Sequence, residues 1–382
     1  MRRAAELFAA AHGARLLLAD FPLRAETYAR KDMGTGDELA RAQVRTQSTA
    51  KITVTDTRTK DIKRESRRSF SALQAETYET MRATLARGGT VAVYAARKGI
   101  APLTVCNDCG TPITDSATGA PMVLHKTPKG NVFLSHRSGA VESADRSCAV
   151  CGGWNLVSLG IGVERVADEI KKKLPEGACV LFTADTVKTH AAAVRVMKHA
   201  QGVRNTIIIG TERMVPYLTN TSLSVIASID SVLSLGSWRA DEHALGTLYS
   251  LLEKSEEEMI LETRLPQSRV VQSVASGSPI DYLRDEIRDR RTYEYPPFAT
   301  FIGLEWYGTE AECKVRADEV KSVMQGFDLV GPLPPEAVEK NRFVERAVVR
   351  TDAGEWPSDT LESALRALSP GISITVDPDD IV

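Results

Sequence analysis

LARGGTVAVYAARKGIAPLTVCNDCG (residues 85–110) joins three kinds of sequence in one stretch. Gly88 and Gly89 stop the helical periodicity of ALQAETYETMRATLARGG (72–89). TVAVYAA (90–96) is a short apolar run without polar alternation, the pattern of a buried strand. Cys106 and Cys109 then form a Cys-x2-Cys pair followed by Gly110, and the same phrase returns in SCAVCG (147–152) as Cys148, Cys151 and Gly152. A buried strand therefore runs straight into one half of a paired-cysteine device.

Four thiolates suit tetrahedral zinc, with sulfur at about 2.3 Å. A Cys-x2-Cys turn presents two of them from one tight loop, and the glycine that follows frees the backbone to turn. The six cysteines include only two more, Cys179 in the apolar ACVLFTA and Cys313 on a helical pattern, both read as core. The gap from Cys109 to Cys148 is 38 residues, so the four ligands are expected to clamp the base of an inserted loop. One structural zinc is predicted on Cys106, Cys109, Cys148 and Cys151. With four cysteines and no open position, catalysis by the metal is not expected. His125 and His136 lie within the loop and read as solvated side chains rather than further ligands.

The remaining composition is that of a soluble globular chain of two or three domains: 382 residues, 43% hydrophobic, 26% charged, formal net charge −2. It excludes a disordered or membrane-embedded class, and no apolar run reaches the length of a membrane span. The opening MRRAAELFAAAHGARLLLADFPLR lacks a continuous apolar centre and a cleavage site. It reads as an amphipathic helix and a strand rather than a signal peptide, so the cytoplasm is the expected compartment. Residues 41–68 carry nine Lys/Arg against three acidic residues, net +6. Such a segment can lie along phosphates, with Lys63, Arg64, Arg67 and Arg68 as candidate DNA contacts, or form a solvated basic loop.

Past the second cysteine pair, helical and strand patterns alternate. VERVADEIKKKL, ACVLFTA, VKTHAAAVRVMKHA, NTIIIG and LSVIASID are followed by a helix over 239–252 and the strand EMILETR. That order predicts a parallel sheet covered on both faces. A break follows at ASGSP (275–279). The tail reads β-α-β-α-β, through FATFIGLEWYG, EAECKVRADEVKSVM, RFVERAVVR, SDTLESALRAL and GISITVD, which predicts a small α+β domain.

With these words in this order, the chain resembles the C-terminal half of the PriA replication-restart helicases (primosomal protein N′). LARGGTVAVYAARKGIAPLTVCNDCG is similar to the opening of that family's second helicase lobe, where a strand ends in Arg-Arg-Gly-Tyr-Ala; here Arg97, Lys98, Gly99, Ile100 and Ala101 stand. CAVCGGWNLVSLGIGVERVADEI (148–170) matches the last cysteine pair and the helix after it. TIIIGTERM (206–214) resembles helicase motif V and keeps Gly210 and Thr211. YEYPPF (293–298) and VDPDDIV (376–382) match the family's Tyr-Pro-Pro-Phe and Asp-Val-Asp-Pro.

The resemblance implies a RecA-like superfamily 2 helicase lobe with an inserted zinc-binding module, then an α+β C-terminal domain. The expected division is 1–48 as a remnant of lobe one and linker, 49–104 with 154–275 as lobe two, 105–153 as the zinc insertion, and 276–382 as the C-terminal domain. It also implies that Arg97, Lys98, Arg342 and Phe343 join the basic segment as DNA-binding candidates. Arg342 and Phe343 stand in EKNRFVERAVVR (339–350), at the place of the family's Gly-Arg-Tyr-Arg stretch.

The departures from the family bear on activity. The family carries four cysteine pairs and two zincs; DSATGAPMVLHKTPKGNVFLSHRSG (115–139) replaces the inner pairs, so a second zinc is not expected. No Gly-x4-Gly-Lys-Ser/Thr phosphate loop occurs, and DEHA (241–244) follows no apolar strand as a Walker B carboxylate must. GARLLLADFPLRAETYARK (13–31) resembles the end of lobe one, so the chain is expected to begin after the ATP-binding motifs. In place of the arginine-rich motif VI stands SLLEKSEEEMILE (250–262), with Glu253, Glu256 and Glu257 expected to repel a nucleotide phosphate. No catalytic residue is assigned, and ATP with Mg²⁺ is not an expected cofactor. The reading is a DNA-binding or scaffold protein of replication restart, binding branched or single-stranded DNA and other restart proteins. The alternative is an ATP-dependent 3′–5′ DNA helicase of the primosome, truncated or completed by a separate lobe one. A zinc regulator unrelated to DNA is the third.

Overall fold

The structure, a computed structural model, describes the chain except residues 1, 38–44, 59–70, 96–102, 118, 120, 128–129, 136–139, 160–161, 228, 235–236, 340 and 380–382. It opens with α1 (Arg2–Ala11) and α2 (Ala25–Ala29). The strand expected after α1 does not form. Residues 14–20 are irregular, and Leu16 and Leu17 are 41% and 66% exposed. The run pairs with no strand among the described residues, so its backbone groups have no ladder to join.

Strand β1 (Lys51–Asp56), helix α3 (Ala75–Ala86) and strand β2 (Val91–Tyr94) begin the large sheet. An insertion follows: β3 (Leu103–Cys106), β4 (Val123–Thr127), β5 (Gly130–Leu134), β6 (Val141–Ser143) and β7 (Leu156–Leu159). The chain then returns through α4 (Val163–Lys173), β8 (Ala178–Phe182), α5 (His190–Gln201), β9 (Thr206–Gly210), β10 (Thr221–Ile226), α6 (Asp230–Leu233), α7 (Ala240–Leu252), β11 (Ser255–Thr263), α8 (Arg269–Ser276) and α9 (Ile280–Thr292).

Six strands pair in parallel in the order β1-β11-β10-β2-β9-β8. Both faces are buried, as the unbroken apolar runs predict. Alternate residues of one strand go to different cores: Ala92 and Ile208 to one face, Val91, Val93, Ile207 and Ile209 to the other. On the first face pack α2, α5, α7, α8 and α9; on the second pack α3 and α4. This is an α/β RecA-like lobe.

Helix ends follow local chemistry. Thr189 caps α5 by accepting from the Ala192 amide, and Ser268 caps α8 from the Val271 amide. Gly277, at φ +70°, ends α8 in the left-handed conformation. The break expected at 275–279 is thus a turn between two helices. Beyond it α9 still buries Tyr282, Leu283 and Ile287 in the core of the large sheet.

The tail folds as β12 (Ala299–Gly308), α10 (Glu310–Val323), β13 (Asp328–Val330), β14 (Glu336–Glu339), β15 (Arg342–Asp352), α11 (Asp359–Arg366) and β16 (Ile372–Val376). Its strands pair antiparallel in the order β13-β15-β12-β16, with β14 also on β15. One face carries α10 and α11 over Ile302, Leu304, Trp306, Ala347 and Val349. Thr309 and Glu312 form a reciprocal capping box at the start of α10.

Candidate metal centre and nucleic-acid face

Antiparallel pairing of β3 with β7 brings the cysteine pairs together, with Cys106 opposite Leu156. The two turns repeat each other bond for bond. Gly110 N donates to Cys106 O at 2.8 Å, and Gly152 N to Cys148 O at 2.9 Å. Cys106 N donates to Thr111 O at 2.9 Å, and Cys148 N to Gly153 O at 2.8 Å. Gly110 and Gly152 share φ +72°, a left-handed turn that a residue with a Cβ adopts only under strain.

The four Sγ atoms lie within 4.8 Å of one another. Cys106 and Cys151 are 3.5 Å apart, and Cys109 and Cys148 are 3.6 Å apart. Tetrahedral zinc with bonds of about 2.3 Å sets sulfurs roughly 3.8 Å apart, so the group fits one metal ion. The sulfurs also perturb one another. Burial opposes ionisation of Cys109, but the Thr111 hydroxyl and amide outweigh it and bring the thiol down to about 7. At Cys151 the Gly153 amide favours the thiolate, yet the Cys106 and Cys109 sulfurs push the thiol up to about 12. A divalent cation relieves that mutual crowding by binding the thiolates together. Residues 115–139, between the cysteine pairs, supply the β4-β5 hairpin, with Ile113, Met122 and Phe133 at its core. The side chain of His125 and all of His136 lie outside the described residues.

The first knuckle rests on the large sheet. A Cβ on Gly110 would meet Arg264 Nη1 at 3.0 Å and the Arg58 carbonyl at 3.4 Å. Arg58 follows β1 and Arg264 follows β11, so the metal centre stands at the carboxyl edge of the strands. In open α/β sheets that edge holds ligands. A cleft of about 810 Å³ opens there, lined among others by Tyr94, Thr211, Arg213, His243 and Arg24. Gly210, kept from motif V, has no room for a side chain: a Cβ would meet the Phe182 carbonyl at 2.7 Å.

Lys63, Arg64, Arg67, Arg68, Arg97 and Lys98 lie outside the described residues. Their points of attachment are described. One segment leaves after Arg58 beyond β1, the other after Ala95 beyond β2. Both strands are parallel members of the sheet, so both segments depart from the edge that carries the metal centre. Glu253, Glu256 and Glu257 sit at the opposite, amino-terminal edge. Glu253 accepts from Thr46 Oγ1 at 2.5 Å, and Glu257 pairs with Arg87 at 2.6 Å. Glu253 and Glu257 thus face this chain's own polar and basic groups.

Arg342 and Phe343 take opposite faces of β15. Phe343 is half-buried against the core beneath α10 and α11, whereas Arg342 is exposed and stands 5.9 Å from the centroid of the Tyr307 ring. Tyr307 is 40% exposed and comes from the neighbouring strand β12, a pairing that no local sequence pattern announces.

A second charged assembly joins the ends of the chain. Glu26 pairs with Arg239, and at 3.3 Å with Arg290. Glu242 pairs with the same two arginines at 3.2 and 2.8 Å. Glu286 holds Arg290 at 2.9 Å, and Asp379 holds Arg239 at 3.1 Å. Burial acts against the Glu26 charge, but Arg290 and Arg239 more than offset it and hold the carboxyl below the ordinary glutamate range.

Among the described residues, no helix is long and apolar enough to cross a membrane. No protein-family model matches the chain. Replication restart protein PriA of Haemophilus influenzae is 25% identical over 234 residues, 59% of this chain and 32% of that protein. PriA of Bacillus subtilis is 23% identical over 341 residues, 85% of this chain and 42% of that protein. PriA of Thermotoga maritima is 23% identical over 314 residues, 79% of this chain and 42% of that protein. The chain therefore spans about a third to two fifths of the length of the curated relatives it matches. It is a PriA-like, partial homologue of that protein's C-terminal half.

Proposed function

From this likeness to PriA we propose that the chain is a DNA-binding and scaffolding protein of replication restart, acting in the cytoplasm. Its ligand is branched or single-stranded DNA, its partners are other restart proteins, and its metal is one structural zinc. The proposed units are the RecA-like lobe, the zinc insertion, the C-terminal α+β domain, and 1–48 as lobe-one sequence and linker. The observation that carries the reading is the placement of the metal centre at the carboxyl edge of the sheet, where the basic segments at 59–70 and 96–102 are attached. Phosphates drawn along that edge release counterions, which gives affinity without base readout.

We infer further that this polypeptide by itself neither hydrolyses ATP nor unwinds DNA. Phosphoryl transfer needs a phosphate cradle, a held Mg²⁺ and transition-state arginines. The sequence has no Gly-x4-Gly-Lys-Ser/Thr string, and glutamates stand at the place of motif VI.

One purified sample tests both parts. Affinity for a fork is expected to fall steeply with salt, and the joint change of Lys63, Arg64, Arg67 and Arg68 to Ala to weaken binding and flatten the slope. No fork binding at low salt, or an unchanged slope in the variant, overturns the DNA role in favour of a protein scaffold. DNA-stimulated ATP turnover by the pure chain overturns the second part.

A further inference from the structure

The end of the C-terminal sheet carries a cation and a ring that the alternation of strands places on one face. Tyr307 lies opposite Val344 in the β12–β15 pairing. Arg342, two residues before Val344, therefore shares the Tyr307 face, while Phe343 points the other way into the core. The ring is held in place. Its hydroxyl donates to Glu305 Oε1 at 2.9 Å, and Arg316 Nη1 donates to the Tyr307 carbonyl at 2.5 Å.

The carboxylates with described side chains around the ring are engaged, and Glu339, paired with Arg342 across β14 and β15, has its side chain outside the described residues. Glu305 also accepts from Arg346 at 2.7 Å, and Glu312 caps α10 through Thr309. Arg342 has no ion-pair partner among the described residues. The guanidinium stands 5.9 Å from the ring centroid. Nucleic-acid bases stack at about 3.4 Å, so a base between two flat groups spans roughly 6.8 Å. An exposed arginine needs to swing by only about 1 Å to admit one.

We propose that Tyr307 and Arg342 form a stacking subsite for one unpaired base of single-stranded DNA. The Tyr307 ring takes one face of the base, and the Arg342 guanidinium takes the other face or the adjoining phosphate. A base inside a duplex offers no free face, so the subsite selects unpaired DNA. The inference rests on the DNA-binding reading above and gives that reading its preference among DNA structures.

The test uses the full chain with a single-stranded oligonucleotide carrying 2-aminopurine and a blunt duplex of equal length. Tyr307→Ala is expected to weaken single-strand binding about 5- to 150-fold, to abolish the fluorescence change, and to leave the salt slope and duplex affinity unchanged. Tyr307→Phe keeps the ring and is expected to bind as the parent does. Arg342→Ala is expected to weaken binding and lower the salt slope by about one. If the parent binds single strands and Tyr307→Ala binds them equally well, or loses duplex binding in equal measure, the subsite is wrong while the DNA role stands. If the parent binds neither DNA, both readings fall.

Discussion

Trp238 Nε1 donates a hydrogen bond to the carbonyl of Pro378 at 2.8 Å, fastening the last residues of the chain to the start of α7. The same indole lies 4.1 Å from the Arg239 guanidinium and 4.7 Å from that of Arg290. Its ring also meets Phe301 at 5.9 Å, edge to face. One buried side chain therefore touches the lobe, α9, the C-terminal sheet and the tail. Trp238→Ala is expected to cost about 3–5 kcal/mol. Chemical denaturation reads the loss, and hydrogen exchange reads release of residues 372–379.

The carboxylate of Glu26 is charged within the core only because Arg239 and Arg290 face it. Its folded-state pKa lies below the ordinary 4.5. The stability it contributes is thus fully present above that value and is lost as pH falls through the folded one. Glu26→Ala leaves two arginines short of a partner and is expected to cost about 3–5 kcal/mol at neutral pH. The gap between parent and variant should narrow on acidification. A gap constant from pH 7 to pH 3 would contradict the assignment.

Glu345 presents the opposite case. It is 8% exposed on the core face of β15, opposite Trp306. Burial raises its carboxyl above the ordinary range, against the Trp306 hydrogen bond and the Lys321 charge. The folded state holds this proton more tightly than the unfolded chain does, so stability falls as pH rises from the unfolded value through the folded one. Glu345→Gln is expected to stabilise the protein at pH 8 and to have little effect near pH 4. Thermal melts at the two pH values check the sign.

The metal prediction is stoichiometric. Elemental analysis is expected to find one zinc per chain; none, or two, overturns it. Cys106→Ser is expected to remove the metal. Chelation should lower the melting temperature, and added zinc should restore it. Acid should release the metal as the thiolates take up protons.

The cysteine pairs and the alternating elements of the large sheet were legible because each is a local pattern. VAVY and TIIIG are unbroken apolar runs, and the knuckles repeat a phrase. Strand β1 was legible but lay inside a segment that was read only for its charge. KITVTD alternates Lys and Thr with β-branched Ile and Val, and it pairs with β11 at the sheet's edge. The Glu26 assembly was hidden, since its members meet across the whole chain; the Ala25 amide alone reaches Glu242 over 217 positions. Which aromatic ring stands beside Arg342 was also hidden. Phe343 is next to Arg342 in sequence, but a pleated strand sends neighbours to opposite sides, and Tyr307 comes from another strand.

The insertion leaves the lobe along β3 and rejoins it along β7, two strands that pair with each other and with nothing in the large sheet. Among the described residues, neither main core of the lobe draws a side chain from 103–159. The cysteine module therefore hangs on a two-stranded stem and is steadied from two sides: Gly110 lies against Arg58 and Arg264, and Val132, Leu134 and Val141 share a small cavity with Leu333, Pro334 and Val344 of the C-terminal domain. Changes in the hairpin strands are therefore felt in the C-terminal sheet as well as at the metal.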